Sequence, residues 1–209
     1  QTTVRTATTT TITSGVADYG VVNKNFAVFG EANLHFSERF RALAGLRWIH
    51  DELSYDFNRV SSSPTPVTGI QTSFKAGGST VSKDFAGRAG LQFDLAPRAM
   101  VYGTYSRGYK GPAYNPALSM LPQDTLALKP ETSNAYELGL KSKLFDGAIT
   151  LNLAGFLQKK KNYQVPFFDT FNNSPVTRLI NAGRVSTRGI EADLSARVGD
   201  HLTLGGAVA

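Results

Sequence analysis

The sequence predicts an all-β chain, an antiparallel transmembrane β-barrel segment of about eight strands. Three observations lead there. Apolar and polar residues alternate with period two along most of the chain; tight turns and long polar links alternate as connections; and aromatic residues sit at the ends of the apolar runs.

Composition agrees and excludes several other classes. Hydrophobic residues make up 41% of the 209, yet no apolar run approaches the roughly 20 residues of a spanning helix. Twenty Gly and abundant Thr, Ser and Asn suit strands and turns. The net charge of +6, from 22 basic and 16 acidic residues, is scattered and carries no nucleic-acid footprint. Without cysteine there is neither a disulfide framework nor a thiolate metal site. The chain starts at Gln1 with no visible signal peptide, and Leu202 to Ala209 reads as a strand cut off in mid-course, so the expectation is a piece of a longer protein.

The stretch LKPETSNAYELGLKSKLFDG, Leu128 to Gly147, resembles a capped amphipathic helix at first sight. Its period decides otherwise: Tyr136, Leu138, Leu140 and Leu144 alternate with Glu137, Gly139, Lys141 and Lys143, which puts one apolar and one polar face on a pleated strand. Asp146-Gly147 then marks a tight hairpin, and Ile149, Leu151, Leu153 and Leu157 resume the alternation. Earlier, Phe26, Val28, Gly30, Ala32, Leu34 and Phe36 lie opposite Glu31, Asn33 and His35. After a turn at Ser37-Glu38-Arg39, Phe40, Ala42, Ala44, Leu46 and Trp48 alternate with Arg41, Gly45 and Arg47. Phe85, Ala89, Leu91 and Phe93 face away from Arg88, Gln92 and Asp94; the chain turns at Ala96-Pro97-Arg98 into Met100 to Arg107, whose register the pattern leaves open. Last, Ile190, Ala192, Leu194 and Ala196 oppose Glu191, Asp193, Ser195 and Arg197, ahead of a turn at Gly199-Asp200-His201.

Between the short turns lie long polar links near 56–81, 108–131 and 163–182. Strict alternation of short and long connections is what a barrel with short periplasmic turns and long outer loops requires, whereas a soluble sandwich has no such need. Each apolar alternation lasts about nine to eleven residues, enough for a tilted strand to cross hydrocarbon. Phe36 and Phe40 flank one turn while Phe26 and Trp48 lie about a bilayer thickness away, the placing of two aromatic girdles. Lipid offers backbone N–H and C=O groups no partner, so a closed sheet with an apolar exterior is the strand solution; its interior is then free to carry Glu31, Arg41, Arg47, Arg88, Asp94, Glu137, Lys141, Glu191, Asp193 and Arg197.

Several stretches together resemble the barrel of TonB-dependent outer-membrane receptors: Tyr102-Gly103-Thr104-Tyr105-Ser106-Arg107-Gly108-Tyr109-Lys110, Leu128-Lys129-Pro130-Glu131, Tyr136-Glu137-Leu138-Gly139-Leu140-Lys141 and Leu144-Phe145-Asp146-Gly147. Asn181-Ala182-Gly183 with Gly189-Ile190-Glu191, Phe29-Gly30-Glu31 and Gly45-Leu46-Arg47 extend the likeness from about residue 25 to the end. The resemblance implies a 22-stranded barrel in the outer membrane of a Gram-negative bacterium, closed by an N-terminal plug. It implies uptake of a scarce nutrient, a ferric siderophore first among them, with energy from a TonB-type partner acting through the plug, and neither an enzyme nor a bound cofactor. Haem, cobalamin and carbohydrate importers share the same wall. Against that pattern, residues 1–209 are expected to hold only part of the barrel, without the plug and the C-terminal strands.

Catalytic spacing is missing. His35, His50 and His201 lie on different segments, Gly77-Gly78-Ser79-Thr80 reads as a loop tip lacking a phosphate-loop lysine, and Glu191 with Asp193 suits a wet wall. Candidates for substrate contact sit in the long links: Tyr109, Lys110, Tyr114 and Asn115 in one, Tyr163, Gln164, Phe167, Phe168 and Phe171 in the other. Exposed rings beside cations grip planar or anionic ligands; the plainer use of the same rings is to pack loops at a rim. Lys159-Lys160-Lys161, at the outer end of a strand, is expected either as a solvated patch or against lipopolysaccharide phosphates. Besides the receptor wall, eight strands also permit a self-contained small outer-membrane barrel with a structural or adhesion role; a soluble β-rich hydrolase lacks a nucleophile–base arrangement.

Overall fold

The computed structural model describes residues 12–171, 174–199 and 201–209. Ten strands run in chain order: β1 (Gly15–His35), β2 (Phe40–Ser61), β3 (Phe74–Ala96), β4 (Ala99–Lys110), β5 (Glu131–Leu144), β6 (Ile149–Lys161), β7 (Gln164–Phe171), β8 (Ser174–Asn181), β9 (Arg184–Val198) and β10 (Leu202–Val208). Eight of them form one antiparallel meander ordered β1-β2-β3-β4-β5-β6-β9-β10, and β7 and β8 make a separate hairpin. Among the described residues β1 and β10 do not pair, so these eight strands do not close into a small barrel of their own.

Partners across a ladder share a face, so the register sorts every side chain. Leu46 pairs with Gly30 and Gly87, Leu91 with Ala42 and Gly103, Leu138 with Gly103 and Gly155, and Ile190 with Gly155. One outer face therefore collects the apolar set of every strand, as the alternation requires. Among the described residues no second sheet covers it: Leu138 is 70% and Ile190 76% exposed. A soluble sandwich buries such residues between two layers; here they stand outward, as in a lipid-facing wall. Trp48 lies opposite Phe85 at one level, and Tyr105 lies opposite Tyr136 with ring centres 5.2 Å apart. At the short-turn end Phe40 pairs with Phe93 and stacks on Phe36 at 5.5 Å. From Phe40 to Trp48 the chain runs about 26 Å along the strand, which at the tilt of barrel strands is about 20 Å of height, within the apolar band of an outer-membrane barrel.

The inner face is polar and internally paired. Arg41 meets Asp94 at 2.7 Å, Arg88 meets Glu31 at 2.6 Å, and the Tyr102 hydroxyl donates to Glu137 at 2.6 Å. Gly139 makes the last contact possible: a Cβ there would stand 2.5 Å from the Tyr102 ring, which crosses β5 at that point. Phe29, on the same face as Glu31, is an apolar exception.

Four sequence expectations change. β1, β2 and β3 span 21, 22 and 23 residues rather than nine to eleven, so their far halves project well beyond any hydrocarbon layer. The link near 56–81 shrinks accordingly, and Gly77-Gly78-Ser79-Thr80 lies inside β3 opposite Asp56, Tyr55, Ser54 and Leu53 rather than at a loop tip. The link near 163–182 contains the hairpin β7–β8. At Asp146-Gly147 the ladder closes at Leu144 and Ile149, with Phe145, Asp146 and Gly147 all at positive φ, a wider turn than a two-residue hairpin. The open register of 99–107 resolves with Val101, Gly103 and Tyr105 outward and Tyr102 and Thr104 inward. The turns at 37–39 and 96–98 stand where the pattern put them; of the third, Asp200 lies outside the described residues.

Candidate functional site

Above the row of Trp48, Phe85, Tyr105 and Tyr136 the apolar phase of β2 changes. Below, even-numbered residues are apolar and face out; above, Ile49, Leu53, Tyr55 and Phe57 are apolar and buried on the inner face, alternating with exposed Glu52, Asp56 and Asn58. The segment 111–130 covers Tyr55 and Phe57. Met120, 1% exposed, packs with Tyr55 and Phe57, and Tyr114 lies on Tyr55 with ring centres 4.4 Å apart. Gly78 leaves room for this stack, since a Cβ there would approach Tyr55 to 3.1 Å.

Arg59 anchors the segment from below. Its guanidinium donates to the carbonyls of Thr72 (2.8 Å), Leu118 (2.7 Å) and Met120 (2.8 Å). No carboxylate among the described residues pairs with it, and burial lowers its pKa. The charge is thus held by peptide dipoles.

The hairpin β7–β8 docks on the other side of the segment. Asn115 accepts from Leu179 N and donates to Leu179 O, both at 2.8 Å, mimicking a strand partner. Arg178 bridges Asp124 and Asp169. Asn181 accepts from Lys129 N at 2.9 Å, and Gln164 donates to the carbonyls of Gly111 and Lys129 at 2.9 and 3.1 Å. Sheet extension, segment and hairpin therefore form one roofed end.

The residues singled out from sequence divide on this roof. Tyr114, Asn115 and Gln164 are part of its internal packing. Tyr109 is half-buried; burial foremost, with Asp51 beside it, pushes its hydroxyl up to about 12. Burial also raises Tyr55, reinforced by Tyr114. Tyr163 lies under the Lys160 ammonium at 4.7 Å. Lys110 is exposed on the inner face opposite Glu131. Phe167 and Phe168 are 47% and 79% exposed on opposite faces of the hairpin. The side chain of Phe171 lies outside the described residues. Sequence reasoning missed Asp51, Tyr55, Arg59, Asp124 and Arg178. The phase change at Trp48–Ile49 was the available signal for Tyr55 and Arg59.

Four buried side-chain atoms lack a partner among the described residues, and all belong to this assembly: Tyr55 Oη, Tyr109 Oη, Gln164 Oε1 and Arg178 Nε. No group of three or more His, Cys, Asp or Glu side chains is arranged to hold a metal among the described residues.

A family model described as TonB dependent receptor-like, beta-barrel matches residues 2–209. The chain belongs to the TonB-dependent receptor barrel family. Its relatives in that family include the ferric-pyoverdine M114 receptor of Pseudomonas sp. (strain M114), 34% identical over 118 residues, covering 56% of this chain and 13% of the relative. The metal-pseudopaline receptor of Pseudomonas aeruginosa is 26% identical over 176 residues, covering 84% of this chain and 22% of the relative. Among solved TonB-dependent receptors, the ferric yersiniabactin uptake receptor of Yersinia pestis superposes with a TM-score of 0.71 at 22% identity, covering 92% of this chain and 27% of that one. The chain thus spans between 13% and 27% of the length of these relatives.

Proposed function

We propose that this chain is part of the wall and mouth of an outer-membrane receptor that takes up a scarce nutrient, most simply a ferric siderophore. Energy reaches it from a TonB-type partner acting through a plug domain carried elsewhere in the complete protein. The work is binding and gated passage, with no bond made or broken. The observation that carries the reading is the single meander with an apolar outer face, a polar inner face and a roof of docked segments at the long-link end. Membership in a family of receptors supports it, and so do relatives whose names specify ferric pyoverdine and a metal chelate.

At the mouth, Lys110, Tyr163, Phe167 and Phe168 contact the ligand, while Tyr109, Tyr114 and Asn115 hold the roof that presents them. Ring and cation contacts of this kind are worth about 0.5–2 kcal/mol each. The test is uptake of radiolabelled ferric chelates by iron-starved cells carrying the complete receptor or a version lacking residues 108–131. Uptake that disappears with the deletion supports the reading. A panel of ferric chelates that the complete receptor neither binds nor imports refutes the iron assignment.

A further inference from the structure

Two stretches singled out in the sequence, Leu128-Lys129-Pro130-Glu131 and Asn181-Ala182-Gly183, meet at one place, the foot of the hairpin β7–β8. That hairpin prolongs the pair β6 and β9 across a neck of two residues on each side, 162–163 and 182–183. One residue of each neck is left-handed, Asn162 at φ 53° and Gly183 at φ 81°. Two backbone hydrogen bonds close the neck, Tyr163 N to Gly183 O at 3.2 Å and Ala182 N to Tyr163 O at 2.7 Å. A ribbon whose ladder breaks on both strands does not fix its own angle to the wall, so the angle is set by what the ribbon leans on.

Each residue of the first stretch supplies one link. Leu128 N donates to Ala113 O at 2.7 Å, which ties the stretch to segment 111–130. Lys129 N donates to the Asn181 side chain at 2.9 Å, and Lys129 O accepts from it at 3.0 Å. Pro130 O accepts from Asn162 Nδ2 at 3.2 Å. Glu131 Oε2 accepts from the backbone N–H of Gln164, the first residue of β7, at 3.0 Å. Asn181 Nδ2 also donates to Asn162 O at 2.7 Å, bracing the two necks against each other. Glu131 and Gln164 are both buried, and a carboxylate on a buried N–H makes one of the stronger hydrogen bonds. The Lys160 ammonium stands 3.7 Å from Glu131, beyond hydrogen-bond distance.

We infer that Glu131 and Asn181 are positioning residues for the mouth. From the top of the wall they fix the angle at which β7–β8 leans on segment 111–130, and with it where Phe167 and Phe168 stand for the chelate. They act through the hairpin and do not touch the ligand. This rests on the reading of a ligand-binding mouth given above, and the experiment separates the two.

The first readout needs no ligand. Spin labels on Thr170→Cys and Ile190→Cys, in a complete receptor free of other cysteines, report the pose of the hairpin as a distance distribution by double electron–electron resonance. The distribution should be one narrow peak in the parent and in Glu131→Gln, which keeps an acceptor oxygen, and should broaden or shift in Glu131→Ala and Asn181→Ala. The second readout is ferric-chelate binding. Glu131→Ala should weaken it about tenfold and Glu131→Gln by less than about threefold. In a Phe167→Ala/Phe168→Ala background, Glu131→Ala should add less than about twofold, because its effect passes through rings that are no longer there. A residue that only stabilised the barrel would weaken both backgrounds alike.

Distance distributions in both alanine variants identical to the parent overturn the inference. So does a Glu131→Ala penalty of equal size in the two backgrounds, or a Glu131→Gln defect as large as that of Glu131→Ala. If Glu131→Ala does not fold, Asn181→Ala takes its place in both readouts. A receptor that binds no ferric chelate yet shows the change of pose keeps the positioning role and removes the iron reading.

Discussion

Replacing Arg59 by methionine keeps an unbranched apolar stem but removes the guanidinium. Two of its three carbonyl bonds, to Leu118 at 2.7 Å and Met120 at 2.8 Å, hold segment 111–130 to β2. Hydrogen bonds from a charged donor contribute about 1.5–3 kcal/mol each, so two give about 3 kcal/mol at the low end. At 1.4 kcal/mol per tenfold, the open population of the segment should rise about 150-fold. The introduced thioether would still fill the space near Phe57 and Phe74, whose ring centres lie 5.6 and 5.8 Å from the guanidinium carbon, so the strands themselves should hold. Hydrogen exchange on the complete receptor reads this directly: amides such as Met120 and Leu128 should lose about two orders of magnitude of protection while those of β5 and β6 do not change. Arg59→Lys should recover only part, because one ammonium cannot reproduce the fork. Unchanged exchange across 111–130 in Arg59→Met would refute the anchoring role.

Gly139→Ala should drive a methyl into the Tyr102 ring, where 2.5 Å is available, and destabilise the barrel by about 1–3 kcal/mol; heat-modifiability on gels should shift down, and adding Tyr102→Ala should restore part of it. The raised Tyr109 hydroxyl, at about 12 against an ordinary 10.0, means that the folded roof keeps this proton where the opened chain has lost it. Stability from Tyr109 is therefore complete below pH 10 and declines from pH 10 to about 12. Absorbance titration should show late-ionising tyrosine absorbance that falls by one residue's share in Tyr109→Phe, and that variant should flatten the alkaline opening of segment 111–130. Phe168→Ala, at a residue 79% exposed, should leave stability within about 0.5 kcal/mol while weakening chelate binding roughly two- to tenfold, measured by tryptophan quenching on the complete receptor.

The lower half of the sheet was legible because one physical demand, an apolar outside and a wet inside, writes itself as period two. Leu138, Leu151 and Ile190 take the faces their spacing assigns. The upper half was not, for two reasons. In β2 the apolar set moves from even to odd positions past Trp48, because above the apolar belt it is the inner face that finds a dry partner, in segment 111–130. A reading that follows one phase sees the pattern end and writes a loop. In β3, Gly77 and Gly78 signal a turn by composition, yet here they serve close approach to Tyr55. The hairpin β7–β8 was hidden by Pro166 and Pro175, which argue against a strand in a wide sheet but are tolerated in a two-stranded ribbon with free edges. Of the roof contacts, Asn115 to Leu179 joins residues 64 apart and leaves no local trace.

A chain without cysteine invites the most direct test: single cysteines at 138, 151 and 190, and at 137 and 191, each carrying a spin label in the complete protein reconstituted in bilayers. Labels at 138, 151 and 190 should collide with oxygen dissolved in the acyl layer, and those at 137 and 191 with a water-soluble nickel chelate. Labels at 138, 151 and 190 shielded from both reagents, with 137 and 191 open to bulk water, would contradict the membrane wall and return the chain to a soluble sheet.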